Sequence, residues 1–157
     1  MTDQSMWQSA PFDATIDHIL QRYHDTHRRQ FDDILPLAEK VGSVHADTFP
    51  QQLLPLLQSV AAELGQHMMK EERVLFPMIK QGAGRGAAMP ISMMMHEHND
   101  HEDAVAQILT LTDDLSVPEG ACASWRRLYE YLAEFIGDLR DHISLENNIL
   151  FARVLQS

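Results

Sequence analysis

Apolar side chains recur every three or four residues through four long stretches of this chain, and nowhere do they alternate over the length of a strand. A period of 3.6 residues marks one buried face of a helix, whereas a half-buried strand needs a period of two. The spacing predicts a first helix from about Phe12 to Val41, with Ile16, Ile19, Leu20, Tyr23, His27, Phe31, Ile34 and Ala38 facing inward. Gly42 and the segment SVHADTFP are expected to end it. A second helix is predicted from about Pro50 to Gln81, with a stripe of Leu53, Leu57, Val60, Leu64, His67, Glu71, Leu75 and Met78. Pro77 should kink its last turn. The segment QGAGRGAAMP is the clearest breaker. A third helix follows from near Ile91 to Thr112, carrying Met94, His98, His101, Val105, Ile108 and Leu109 inward. Beyond the turn DDLSVPEG, a fourth runs from about Ala121 to Leu155, with Leu128, Leu132, Phe135, Leu139, His142, Glu146 and Leu150 on its inner face. Long helices on short loops read as an all-α, up-down-up-down antiparallel four-helix bundle. A chain of 157 residues suits one domain, 1–157, with its own core.

The formal net charge of −11 argues against nucleic acid and against anionic membrane surfaces as partners, since both are polyanions. No apolar run approaches the ~20 residues that span a bilayer. The opening MTDQSMWQSAPFDA lacks the basic-then-apolar pattern of a secretory signal. A single cysteine, Cys122, leaves no internal disulfide and no CxxC motif. The expectation is a soluble, cytoplasmic protein.

What interrupts the apolar stripes carries the chemistry. HMMKEERVLFPMI places His67 and Glu71 four residues apart, and HISLENNILF does the same for His142 and Glu146. Side chains at i and i+4 stand one above the other on a helix, so both pairs point into the bundle with the leucines around them. A carboxylate buried there must be paired or coordinate a cation. Alone, a His-x-x-x-Glu pair is usually an exposed surface pair worth a few tenths of a kcal/mol. Two such pairs in register with apolar stripes, with His98 on the third helix and His24 or His27 on the first, point to a shared cation site. Imidazole with carboxylate suits iron, manganese or zinc, and carboxylates bridging two ions suit a dinuclear iron site.

The blocks WQSAPFDATIDHILQRYHDTHRRQ, VHAD, HMMKEERVLFPMIKQG, PISMMMHEH and DHISLENNILFARVL resemble the hemerythrin-like domain of the Repair of Iron Centres family. The resemblance covers nearly the whole chain. It implies a hemerythrin-like bundle with a non-haem di-iron site, linked to nitric oxide and oxidative stress and to restoring damaged iron–sulfur clusters. Carried over position by position, it implies metal ligands at His24, His67, Glu71, His98, His142 and Glu146. Glu71 and Glu146 would bridge the two irons, with two histidines on each iron and an oxygen species between the irons when oxidised. The family's further inward acidic positions match Glu63 and Glu97, implied as proton relays for catalysis, as aids to iron release or as partners of a ligating imidazole. His45 of VHAD also matches and is taken as a solvent-exposed loop residue.

Some features sit outside the pattern. Full-length members carry an N-terminal region with a cysteine pair, whereas this sequence starts directly at the bundle. The expectation is that another protein supplies that region or that the function is narrower. Periodicity puts His27 nearer the centre of the apolar face, while the resemblance selects His24 on its flank. His96, His101 and Glu102 are extra candidates on the third helix, and a fifth histidine would resemble the oxygen-carrying hemerythrins.

Six protein ligands would leave open positions on each iron for nitric oxide or dioxygen. The leading expectation is a di-iron protein that binds nitric oxide and protects against nitrosative and oxidative stress. As an enzyme it would reduce nitric oxide to nitrous oxide, with Glu63 or Glu97 as proton donor, and damaged iron–sulfur proteins would be its partners. The alternatives are a non-catalytic oxygen or nitric oxide carrier or sensor, and an iron donor.

Overall fold

The computed structural model describes residues 2–157. Four long helices account for most of them, and no strand occurs among the described residues. Helix α1 spans residues 12–44 and α2 residues 53–80. Helix α3 is Ala88–Leu111, and α4 spans residues 123–156. None of these is long and apolar enough to cross a membrane. A single 3₁₀ turn, Ser5–Gln8, precedes α1 and is held against α4 where Arg153 donates to the carbonyls of Trp7 and Ala10.

The buried apolar residues form two separate cores, which also establish the direction of each helix. One joins Phe31 and Ile34 of α1, Leu57 and Leu64 of α2, Val105 and Ile108 of α3, and Leu128 and Phe135 of α4. The other joins Ile16 and Ile19 of α1, Leu75 and Ile79 of α2, Ile91 and Met94 of α3, and Leu150 and Val154 of α4. The late half of α1 thus shares a core with the early half of α2, the late half of α3 and the early half of α4. That is the up-down-up-down arrangement. Between the two cores, all four helices contribute buried histidines or glutamates to one polar layer. We expect Leu57→Ala, deep in the first core, to cost about 2–5 kcal/mol in denaturant unfolding while leaving metal uptake unchanged.

Three helix boundaries depart from expectation. Gly42 lies within α1, which ends at Val44. A Cβ on Gly42 would stand 3.5 Å from the Phe49 ring, an ordinary van der Waals distance, and the helix runs on two residues past this glycine. Helix α2 starts at Leu53 rather than Pro50. Helix α3 begins at Ala88, taking in part of the predicted breaker, because Pro90 falls in the first turn, where no intrahelical N–H bond is lost. His45 is half-buried rather than solvent-exposed, its ring 5.1 Å from that of Trp125.

Three helices change to π geometry at the polar layer: Leu20–His24 in α1, Glu71–Leu75 in α2 and Leu145–Phe151 in α4. A π turn accommodates an extra residue and shifts the helical face that follows. Tyr23, His24 and His27 are therefore all buried, as are Leu75, Phe76 and Ile79, while Leu20 and Met78 slip to half-buried positions. Pro77 lies just past the π turn of α2.

Candidate metal centre

The polar layer contains His24, His27, His67, Glu71, His98, His101, His142 and Glu146, each no more than 4% exposed. Six of them converge. His24, Glu71, His142 and Glu146 offer ligand atoms that all lie within 4.8 Å of one another, and so do His67, Glu71, His98 and Glu146. Both carboxylates belong to both groups, the arrangement expected of bridges between two cations.

In every histidine of the pair of groups it is Nε2 that faces the carboxylates. His24 Nε2 lies 3.1 Å and His67 Nε2 3.5 Å from Glu71 Oε1. His98 Nε2 is 2.9 Å from Glu146 Oε1, and His142 Nε2 is 3.0 Å from Glu146 Oε2. The close approach at His98 is not aligned as a hydrogen bond. His67 Nε2, His98 Nε2, Glu71 Oε2 and Glu146 Oε1 all remain buried without a hydrogen-bond partner. Orphaned polar atoms in a dry interior carry a desolvation penalty of about 1–3 kcal/mol each, more when charged. Four that share one layer with two carboxylates fit cations. Nitrogen and oxygen donors of this kind suit iron, manganese or zinc, and two nitrogens with two carboxylates per group leave positions for small molecules on a six-coordinate ion.

The outward Nδ1 of each of these four histidines has its own partner, which holds the ring in place. His24 donates to Glu72 Oε2 at 2.7 Å, and Arg28 grips that carboxylate. His67 donates to Glu97 Oε1 at 2.9 Å, where Lys70 bonds the other oxygen at 2.6 Å. His98 donates to Asn147 Oδ1 at 2.7 Å. His142 meets a neutral partner, His27 Nε2, at 3.1 Å. Aromatic rings cover the layer: Phe76 stacks on His24, Tyr23 on His142 and Phe151 on His98.

Burial alone would depress every one of these imidazoles. At His24 the Glu71 and Glu72 carboxylates outweigh it and hold the pKa up at about 9. At His67 the carboxylates of Glu71, Glu146 and Glu97 do the same, to about 9. His98 is also raised against burial, chiefly by Glu146. Burial would raise Glu146, but its histidine neighbours, His98 first, keep it below the usual carboxylate value. Burial dominates at His142, whose pKa falls well below normal with His24 nearby adding to the effect. Burial and His142 push His27 down to about 3, and burial with His67 and His98 pushes His101 to about 4. Without a cation, protons on His24 and His67 offset the negative charge of the layer.

The sequence-derived set fares unevenly outside these six. His27 is buried in the layer but supports His142 rather than joining either group. His101 packs edge-on against His67 at 4.8 Å with Nδ1 unpartnered and joins neither group. His96 is exposed, and Glu102 is an exposed partner of Arg140. Glu63, expected to point inward, is exposed instead, because Leu64 takes the inward position next to it. Glu63 lines the mouth of a cavity of about 180 Å³ with Gln66, Lys70, Glu97, Asp100 and His101. Glu97 is partly buried and reaches the layer through His67. Glu72, Asn147, Gln30 and Asp138 were not anticipated. Glu72 and Asn147 directly follow Glu71 and Glu146, in KEER and LENN, and each hydrogen-bonds a histidine from a neighbouring helix.

Residues 15–154 match the family model of the hemerythrin HHE cation binding domain. The chain is 62% identical over 157 residues to the iron-sulfur cluster repair protein DnrN of Neisseria gonorrhoeae, covering 100% of both chains. It is 50% identical over 152 residues to the iron-sulfur cluster repair protein YtfE of Musicola paradisiaca, covering 96% of this chain and 68% of that protein. The YtfE of Escherichia coli K12 is 48% identical over 151 residues, covering 95% of this chain and 69% of that protein.

Proposed function

This chain belongs to the hemerythrin HHE cation-binding family, and from that membership we propose that it holds two iron ions on His24, His67, Glu71, His98, His142 and Glu146 and serves iron–sulfur cluster repair under nitrosative stress. The observation that carries the metal reading is the shared pair of carboxylates, each common to two groups of buried donors. The repair role rests on full-length similarity to a relative named as an iron-sulfur cluster repair protein.

The small ligand of this reading is nitric oxide. Bound in reduced form, an iron pair would supply the two electrons that, with two protons, convert two nitric oxide molecules to nitrous oxide and water. The chain's own part is positional and protic. Glu71 and Glu146 would be shared between the two ions, and the rings of Phe76, Tyr23 and Phe151 keep bulk water away. Protons enter from the cavity on the Glu63 side. Glu97 is the group with both access to that cavity and a hydrogen bond to His67 Nδ1, which makes it the better placed donor of the two acids. Glu63 acts further out, as a surface relay. The same acidic rim supports a second reading, in which iron itself leaves through this opening as cargo for a damaged cluster.

The test is metal content after anaerobic purification, followed by nitric oxide added to the reduced protein. About two irons per chain, a changed visible spectrum and nitrous oxide in the headspace are expected. A spectral change without nitrous oxide would favour a carrier or sensor. Transfer of iron to a protein with a damaged cluster, without gas formation, would favour the donor reading. A folded chain that takes up no iron would end all three.

A further inference from the structure

His142 differs from the other three ligand histidines in leaning on another imidazole, and that contact starts a chain of hydrogen bonds leading out of the core. His142 Nδ1 lies 3.1 Å from His27 Nε2, and His27 Nδ1 lies 3.1 Å from Gln30 Oε1. Gln30 Nε2 donates to Asp138 Oδ2 at 2.8 Å, while Arg22 donates to Asp138 Oδ1 at 2.8 Å. The Asp138 side chain is 13% exposed, one turn before His142 on α4. The chain therefore links a fully buried ligand to a carboxylate near the surface.

Two polarities are open to it. In one, His142 carries its hydrogen on Nε2, aimed at Glu146, and has no lone pair there for a cation. In the other, the hydrogen is on Nδ1 and donates to His27 Nε2, which forces the hydrogen of His27 onto its own Nδ1. That hydrogen needs an acceptor, and Gln30 provides one only with its amide oxygen turned toward His27. A flipped Gln30 would set its oxygen against the Asp138 carboxylate. Each link permits one orientation once its neighbour is fixed, and the outermost link is an anion that cannot donate.

We propose that Asp138, acting through Gln30 and His27, selects the tautomer of His142 that presents its Nε2 lone pair to a metal ion, which makes His27 a positioning residue and not a ligand. The inference rests on the two-cation reading of the site. It also separates the two halves of the centre. His24 and His142 serve one group, while His67 and His98, serving the other, lean on Glu97 and Asn147 and do not use this chain. His101 stands three residues after His98 as His27 stands three after His24, yet it is Glu97 that meets His67 Nδ1, and His101 Nδ1 has no hydrogen-bond partner.

The test uses the full chain with Asp138→Asn, a near-isosteric change near the surface, and with the exchange Gln30→Glu/Asp138→Asn. In the exchange, the carboxylate introduced at position 30 accepts from His27 and from the amide introduced at position 138, so the polarity is restored with net charge unchanged. Two readouts are taken: stepwise iron(II) affinity by chelator competition, and nitrogen-15 NMR of the histidines in the metal-free chain. Asp138→Asn is expected to weaken one of the two binding steps by about 10- to 100-fold, to leave the other alone, and to move the His142 hydrogen from Nδ1 toward Nε2. The exchange variant is expected to recover both readouts. Unchanged affinity and tautomer in Asp138→Asn would overturn the proposal, as would equal weakening of both steps or an exchange variant worse than the single one. A wild-type chain that binds two irons while Asp138→Asn behaves identically sinks this inference alone. A wild-type chain that binds none sinks the metal reading and this inference together.

Discussion

Glu71→Leu is expected to reduce metal uptake from two ions per chain to one at most, with the helices retained. Glu71 is common to both donor groups, so its loss removes a ligand from each. The leucine would sit in an apolar stripe between Leu64 and Leu75, both buried. In the metal-free chain Glu71 faces protonated His24 and His67, so the leucine removes one partner of a buried charge pair, and the metal-free variant is expected to be less stable than metal-free wild type at neutral pH. A further difference appears on loading, because an ion present at 100 times its dissociation constant adds about 2.7 kcal/mol to the folded state. Wild type gains that at each site and the variant loses most of it. Metal analysis, far-ultraviolet circular dichroism and unfolding midpoints with and without iron decide the matter. Two ions retained, or a collapse of helical signal, would show that the role of Glu71 is misassigned.

Removing the metal should expose a stability maximum near pH 6.5 that the loaded protein lacks. In the metal-free chain His24 and His67 titrate at about 9 instead of about 6.5. Groups raised in the folded state contribute stability that is complete below the unfolded value and disappears as the pH climbs through the folded one. The window of loss is thus about pH 6.5 to 9, and each histidine accounts for roughly 3 kcal/mol on the scale of 1.36 kcal/mol per pH unit. The two are not additive, since both face Glu71. On the acid side the sign reverses. His27 and His101, pushed down to about 3 and about 4, must be charged on unfolding below pH 6.5, and the fold weakens as pH falls toward those values. An ion held on the same nitrogens would displace the protons, so metal uptake is expected to release protons and to strengthen with rising pH. Urea midpoints from pH 4 to 10, with and without iron, test this. A flat profile for the metal-free chain would mean that the histidines are not the proton store.

Much of the site was legible because its ligands interrupt a regular pattern. His67 with Glu71, and His142 with Glu146, lie on apolar stripes at a spacing that survives any small rotation of the helix. The first helix was harder. Its apolar residues from His27 to Ala38 define a face on which His24 is marginal, and the family resemblance was needed to select it. The structure buries both histidines, which stand three residues apart on one face, and the π turn at Leu20–His24 shifts the phase between the two halves of α1. The same effect at Glu71–Leu75 put Met78 in the predicted stripe where the structure buries Phe76 and Ile79. Local propensity marks Gly42 and the segment before Pro90 as breakers, yet α1 runs two residues past Gly42 and α3 starts two residues before Pro90.

The amino-acid sequence by itself determined the class of fold, the four helices and the chemical kind of site. Periodicity reports which face is buried, and a buried carboxylate demands a counter-charge wherever it lies. Only the tertiary structure decided that His24 joins a buried donor group while His27 stands against His142, because the two are identical in type and differ only in what stands opposite each. It also decided that Glu97 hydrogen-bonds His67 while Glu63 stays exposed, and that Glu72 meets His24, Asn147 meets His98, and Gln30 joins His27 to Asp138. Those roles depend on contacts between helices far apart in the chain, and a hydrogen bond across a bundle leaves no periodic trace in either stretch of sequence that makes it.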